Sequence, residues 1–154
     1  MITNDESLFP VIVQHWRGPF RDDDIRAVFA RQSALVERAT REGAYLCTLV
    51  GDGDAVDARQ RRLMGELTDN QTPEALERSV TSVVVASSMV VRGALTAIKW
   101  FMKMPVEAAS SPEEAVAHAV KAYEARRLTV PAALRDGRAL ARLRTFNVKQ
   151  AAAS

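Results

Sequence analysis

Apolar residues along the chain alternate between short β-branched runs and longer stretches with helical spacing. The run FPVIVQHW at 9–16 is bounded by Pro10 and Gly18 and predicts a strand. The following stretch, DDDIRAVFARQSALVERATREG, gathers its apolar residues on one helical face, begins with aspartates and stops at Gly43, which predicts a helix. A second run of strand length, AYLCTLV at 44–50, precedes a helical pattern within DARQRRLMGELTDN.

The second half of the chain repeats this alternation. ERSVTSVVVAS at 77–87 is the most β-prone stretch, with a strand expected near 80–87, and SMVVRGALTAIKWFMKM at 88–104 has a helical period that Pro105 ends. A short strand is expected at 105–109. In SPEEAVAHAV, Ser111 is the predicted N-cap, Pro112 takes the first helical position and Glu114 completes a capping box. Four strand-helix repeats predict one small α/β domain with a mostly parallel sheet of four or five strands.

The C-terminal part of the chain differs from the rest in charge. We assign residues 1–128 to the α/β domain and 129–154 to a basic extension. From Arg126 onward there are seven basic residues and one acid, although the net charge of the whole chain is only +2. Leu134, Leu140 and Leu143 share one side of a predicted short helix at 131–146, followed by a disordered end. Such a helix docks on the domain or on a neighbouring subunit; the alternative is an arm that orders only on an acidic partner.

The helical stretch at 88–104 has more apolar surface than one sheet-facing stripe requires. This excess predicts a homo-oligomer, most simply a dimer, around Trp100. The apolar residues concerned are Leu95, Ile98, Trp100, Phe101, Met102 and Met104.

The acidic turn GDGDAVDARQ at 51–60 joins a predicted strand to a predicted helix. A calcium loop counted from Asp52 would need an oxygen ligand where Val56 stands and a glutamate where Leu63 stands. A dinucleotide fingerprint lacks its third glycine, and the aspartates would repel a pyrophosphate. The turn is therefore interpreted as a helix start, with aspartates binding backbone amides.

The sequence has few candidate residues for metal binding, nucleophilic catalysis or phosphate binding. His15 and His118 have no cysteine or acid at metal-ligand spacing, and neither a G-x-S-x-G elbow nor a P-loop occurs. Cys47 reads as a small buried hydrophobe. No catalytic residue, cofactor or metal is predicted. One alternative is a pocket at the carboxyl end of the first predicted strand, near His15 and Trp16, for a small ligand or an enzymatic reaction.

The order of these elements resembles the STAS-like family typified by anti-sigma-factor antagonists (SpoIIAA-like). The resemblance covers roughly residues 8–127 and rests on AYLCTLVGD, DARQRRLMGEL, SVTSVVVAS, MVVRGALTAIKWF and SPEEAVAHAV. It implies a non-enzymatic regulatory module that binds a regulatory protein around the turn. The partner-binding residues expected there are Asp52, Asp54, Asp57, Arg59, Arg61 and Arg62.

The chain departs from that family at the phosphorylation site. Phosphorylatable members have an Asp-Ser pair at the start of this helix, where the present chain has Asp57 and Ala58, and no Ser or Thr occurs between Gly51 and Leu67. We therefore expect no phosphoswitch.

The charge of the tail and the composition of the N-terminus support two broader expectations. The basic tail makes a nucleic-acid or acidic-surface binder an alternative function, although only Phe146 is available there for base stacking. The acidic N-terminus and the absence of a long apolar run predict a soluble, cytoplasmic protein without an export signal and without a membrane partner.

Overall fold

The structure is a computed structural model that describes residues 1–100 and 103–151, with side chains described through residue 145. Its strands are β1 (Ile2–Asp5), β2 (Val11–Trp16), β3 (Leu46–Val50), β4 (Ser79–Val85) and β5 (Val106–Ala109). Its helices are α1 (Asp22–Glu42), α2 (Ala58–Asp69), α3 (Pro73–Arg78), α4 (Met89–Lys99), α5 (Pro112–Ala125), α6 (Ala132–Arg135) and α7 (Arg138–Ala151).

The strands form one sheet in which spatial order follows chain order, β1-β2-β3-β4-β5. The first strand pairs antiparallel with β2, and every later neighbour is parallel. Residues in register across the sheet include the row Ile12, Thr48, Ser82 and Val106. The prediction of a single α/β domain with a mostly parallel sheet is confirmed.

Helices cover both faces of the sheet and make a three-layer fold. Side chains alternate between faces along a strand. On one face, Val11 and Val13 of β2 pack in a cluster with residues of α5, α6 and α7. On the other face, Ile12 packs with α1 and α3, and Val106 packs with α1, α2 and α4.

Several boundaries differ from the sequence prediction. The short polar strand β1 and the helix α3, which Thr72 caps, were not predicted. The described helix α4 ends at Lys99, before the expected limit at 104, and Phe101 and Met102 lie outside the described residues. Ser111 caps α5 as predicted, but Glu114 accepts a hydrogen bond from the Ser110 amide at 2.9 Å, so the capping box is incomplete.

The C-terminal segment packs on the domain. The predicted single helix at 131–146 is wrong at one point, because the chain turns at Gly137 (φ 86°) and forms the separate helices α6 and α7. Leu134 and Leu143 are buried in the same cluster as β2, and Leu140 is half-buried. Of the two alternatives that the sequence left open, a docked helical segment and a disordered arm, the structure has the docked segment. Residues 152–154, where disorder was expected, lie outside the described part.

Candidate functional site

The acidic turn lies at the carboxyl edge of the parallel strands, beside the N-termini of α2 and α4. The Asp52 carboxylate accepts hydrogen bonds from the amide of Ser87, at 3.4 Å, and from its hydroxyl. The Asp52 carbonyl oxygen accepts from Nη2 of Arg17 at 3.4 Å. Asp52 therefore ties the loop after β3 to the loops after β2 and β4.

The other two aspartates of the turn also bind backbone amides. The Asp54 carboxylate accepts from the Gly18 amide at 2.9 Å and lies 4.0 Å from Arg17 Nη1. Asp57 is the N-cap of α2: its carboxylate accepts from the Gln60 amide at 2.7 Å, and the Gln60 side chain accepts from the Asp57 amide at 3.2 Å. The interpretation of the turn as a helix start is confirmed.

The three arginines after the turn are placed differently from one another. Arg59 forms an ion pair with Asp22 of α1, at 2.5 Å. Arg61 donates to the Val56 carbonyl oxygen at 2.9 Å, and Arg62 is exposed on α2. The structure thus brings the six expected partner-binding residues to one edge of the sheet, and five of them also hold the fold together there.

His15 and Trp16 point to opposite faces of β2, and of the two it is Trp16 that lines the apolar cavity described below. His15 follows Val11 and Val13 toward the α7 side, while Trp16 packs with Phe20 on the other side. Burial, aided by the Arg17 guanidinium, lowers the pKa of His15.

His118 has acidic neighbours that the sequence reading missed. Its Nδ1 lies 2.6 Å from Oε2 of Glu107, and its Nε2 lies 3.3 Å from Oε1 of Glu114. The statement that no acid stands at a suitable spacing was wrong, since Glu114 precedes His118 by one helical turn. Even so, no group of three possible metal ligands occurs among the residues that the structure describes.

An apolar cavity of about 140 Å³ lies between the sheet and helices α1, α2 and α4. Trp16, the Asp54 end of the acidic turn, and the hydroxyl-bearing Thr48 and Ser82 form part of its wall. Sequence reading missed it because its walls come from seven separate segments. Apolar residues of the strands and of α4 supply much of the rest, among them Val50, Val84, Val106, Val91, Leu95 and Ile98.

The two ends of α4 also have exposed apolar side chains, whereas Arg92, Thr96 and Lys99 are exposed between them. Met89, Val90 and Trp100 are 87%, 73% and 84% exposed, respectively. Leu95, Ile98 and Met104, which were also expected to add apolar surface, are buried instead. The exposed apolar surface of the described segment is thus confined to the two ends of α4.

Comparison with known proteins gave no match: no protein-family model, curated protein or solved structure matches the chain. The resemblance to the STAS-like family therefore stays a prediction. Within residues 1–100 and 103–151, no helix combines the length and the apolar content needed to cross a bilayer.

Proposed function

We propose that the chain is a non-enzymatic regulatory module that acts through protein-protein contacts and self-associates through the outer side of α4. The observation that carries this proposal is the exposure of Met89, Val90 and Trp100 on one short helix. Large apolar side chains left exposed on a surface are typical of interaction sites. Tryptophan in particular contributes strongly to binding energy at interfaces.

The shape of this surface favours a second copy of the same chain as the occupant. Met89, Gly93 and Trp100 follow one another at spacings of four and seven residues, which places them on one side of α4. A Cβ added at Gly93 would meet no atom within 4 Å, so this position is open to a partner. In an antiparallel pair about a two-fold axis through the middle of α4, Trp100 of each copy would lie near Met89 of the other.

The acidic turn gives this surface a charged margin. The bond between Asp52 and Ser87 holds the turn beside the first residues of α4. Asp54, Asp57 and Arg62 are exposed next to it, and a polar rim around an apolar centre is the usual arrangement of an interface. Following the STAS-like resemblance, we assign the contact with a regulatory protein to this margin.

The C-terminal arginines support the alternative of nucleic-acid binding only weakly. In the described part of the tail, four of them lie within 4.0 Å of a carboxylate of the same chain, which lowers the positive charge available to a phosphate backbone. The pairs are Arg135 with Glu124, Arg138 with Asp136, Arg142 with Asp5 and Arg144 with Glu113.

Self-association is tested by light scattering on the purified chain and on Trp100→Ala. We expect the parent to be a dimer and the variant to dissociate, with the dimer affinity reduced about 1000-fold, because each dimer loses two tryptophan hot spots of about 2 kcal/mol each. Lys121→Ala, on the exposed side of α5 across the sheet, is the control and should stay dimeric. A parent that is monomeric at high concentration would refute the proposal.

A further inference from the structure

Two arginine side chains lie against the ring of Tyr45 at the amino edge of the parallel strands. The guanidinium carbon of Arg78 lies 4.7 Å from the ring centre, and that of Arg126 lies 5.3 Å from it. Tyr45 immediately precedes β3, Arg78 ends α3 just before β4, and Arg126 is the C-cap of α5. Three segments that are distant in the chain thus bring two positive charges to one aromatic ring.

Main-chain hydrogen bonds hold both guanidinium groups in place. Arg78 Nη1 donates to the Ala44 carbonyl oxygen at 3.3 Å, and Arg126 Nη2 donates to the Glu77 carbonyl oxygen at 2.7 Å. Glu77 directly precedes Arg78, so the second bond also keeps the two arginines beside each other. Because stacking and bonding order these side chains before a ligand arrives, less entropy is lost when they bind one.

Both positive charges lack a carboxylate partner. In the part of the chain that the structure describes, no carboxylate oxygen lies within 4.0 Å of the Arg78 or Arg126 guanidinium group, in contrast to the tail arginines Arg142 and Arg144. A guanidinium group has five N–H donors, and the bonds to carbonyl oxygens use one on each arginine. Most of the donors are therefore available to an anion.

Two neighbouring guanidinium groups favour a phosphate monoester over other anions. A phosphate monoester carries nearly two negative charges at neutral pH, which matches the two positive charges beside Tyr45. Its oxygens accept several hydrogen bonds, and arginine binds phosphate through pairs of parallel N–H groups. A carboxylate, or a single phosphate within a nucleic-acid backbone, brings only one negative charge.

We propose that Arg78 and Arg126 form a binding site for a phosphate monoester, with the Tyr45 ring holding both guanidinium groups in position. A small metabolite and a phosphorylated side chain of a partner protein are two sources of this same group. The site goes beyond the proposed function, because Tyr45 packs on the α5 side of the sheet whereas α4 covers the other side.

Calorimetric titration of the purified chain, in a buffer free of phosphate and sulfate, tests the site with three probes. They are glycerol 3-phosphate, a phosphoserine peptide and the same peptide without phosphate. We expect saturable binding of the two monoesters and none of the unphosphorylated peptide. Equal or tighter binding of glycerol 3-phosphate indicates a small metabolite, and tighter binding of the phosphopeptide indicates a partner protein. If neither monoester binds saturably, the proposal is overturned.

Substitutions of single arginines test which side chains bind the phosphate. Arg126→Gln removes an exposed guanidinium group and should weaken both monoesters at least about tenfold. Arg78→Lys keeps the charge but loses the paired N–H groups and the stacking, so it should weaken them similarly.

Arg26→Gln is the matched control for Arg126→Gln, since both substitutions remove one exposed positive charge. Arg26 lies in the first turns of α1, which begins at the opposite edge of the sheet, so the affinities should stay within about twofold. Equal weakening by the control would show general attraction between charges and would overturn the site. If Arg78→Lys loses its fold by circular dichroism, Arg126→Gln alone decides.

Two further comparisons separate this site from other functions. A single-stranded oligonucleotide that binds more tightly than both monoesters and is lost in Arg126→Gln would assign the arginines to nucleic acid instead. Saturable monoester binding by a chain that light scattering shows to be monomeric refutes only self-association. A dimer that binds neither monoester refutes only the phosphate site.

Discussion

Gly51 is a residue at which a single methyl group should matter. A Cβ built there would overlap the imidazole ring of His15, lying 2.7 Å from its Cε1. We predict that Gly51→Ala lowers the free energy of unfolding by about 1–3 kcal/mol, because a buried ring must move to accept it. Urea unfolding measures the change.

Gly93→Ala is the matched control for that substitution. The new methyl group would meet nothing within 4 Å inside a helix, so stability should rise by about 0.5–1 kcal/mol. Equal effects of the two substitutions would contradict the packing of His15 against Gly51.

His15 also gives the stability a predictable dependence on pH. Burial lowers the pKa of this imidazole below its ordinary value of 6.5, so the unfolded chain binds the proton more readily than the folded chain. The contribution of neutral, buried His15 to the free energy of unfolding is thus fully present above pH 6.5. It is lost as the pH falls toward the pKa of His15 in the folded chain. Urea unfolding from about pH 7 to about pH 5 should show a shallower decline for His15→Gln. An identical decline in both proteins would argue against this role.

Side-chain roles could be predicted from the sequence where the partner is close in the chain. Asp57 and Ser111 each accept a hydrogen bond from the amide three residues ahead, so local spacing predicts that they cap helices. The contact between His118 and Glu107 could not be predicted from the sequence, because it depends on how α5 packs against β5.

At the scale of elements, α7 is held by apolar packing more than by its arginines. Leu143 is 1% exposed in the core, whereas Leu140 is half-buried. We predict that Leu143→Ala lowers the free energy of unfolding by about 2–5 kcal/mol and that Leu140→Ala has a clearly smaller effect. Thermal and urea unfolding of the two variants provide the comparison.

The ion pair between Arg144 and Glu113 should contribute much less to stability than Leu143 does. Both side chains are about half exposed, so Arg144→Ala should change stability by less than about 1 kcal/mol. A larger loss than that of Leu143→Ala would show that charge holds the helix in place.

Elements with a strong period were predicted and those without one were missed. The strands β2, β3 and β4 and the helices α1, α2, α4 and α5 each have a run long enough to show alternation or a helical face. The short strand β5 was expected from its place between Pro105 and the cap at Ser111. β1 has four residues and little burial, and it owes its form to pairing with the edge of β2. The turn at Gly137 was missed because leucine spacing alone continues the helix across it.

For the whole molecule, the sequence predicted the parallel sheet but not the distribution of helices over its faces. Strand-helix alternation is enough to predict neighbouring parallel strands. The division of α1–α4 from α5–α7, and with it the cavity, depends on packing between elements distant in the chain.

Deletion after Leu128 tests how far the C-terminal segment belongs to the core. The deletion removes Ala133, Leu134, Ala139 and Leu143 from the cluster that covers β2. We predict a melting temperature lower by about 10 °C or more, since each lost leucine alone is worth several kcal/mol. Unchanged melting would mean that the segment contributes no stability.

The agreement between strand order and chain order has a consequence for synthesis on the ribosome. Each strand pairs with the strand made immediately before it, so the sheet can grow one strand at a time as the chain emerges. The cover over Val11 and Val13 is different, because α7 packs there and is translated more than a hundred residues later. Nascent chains therefore expose this patch of β2 until α7 has been translated, and exposed apolar surface of this kind favours aggregation before folding is complete.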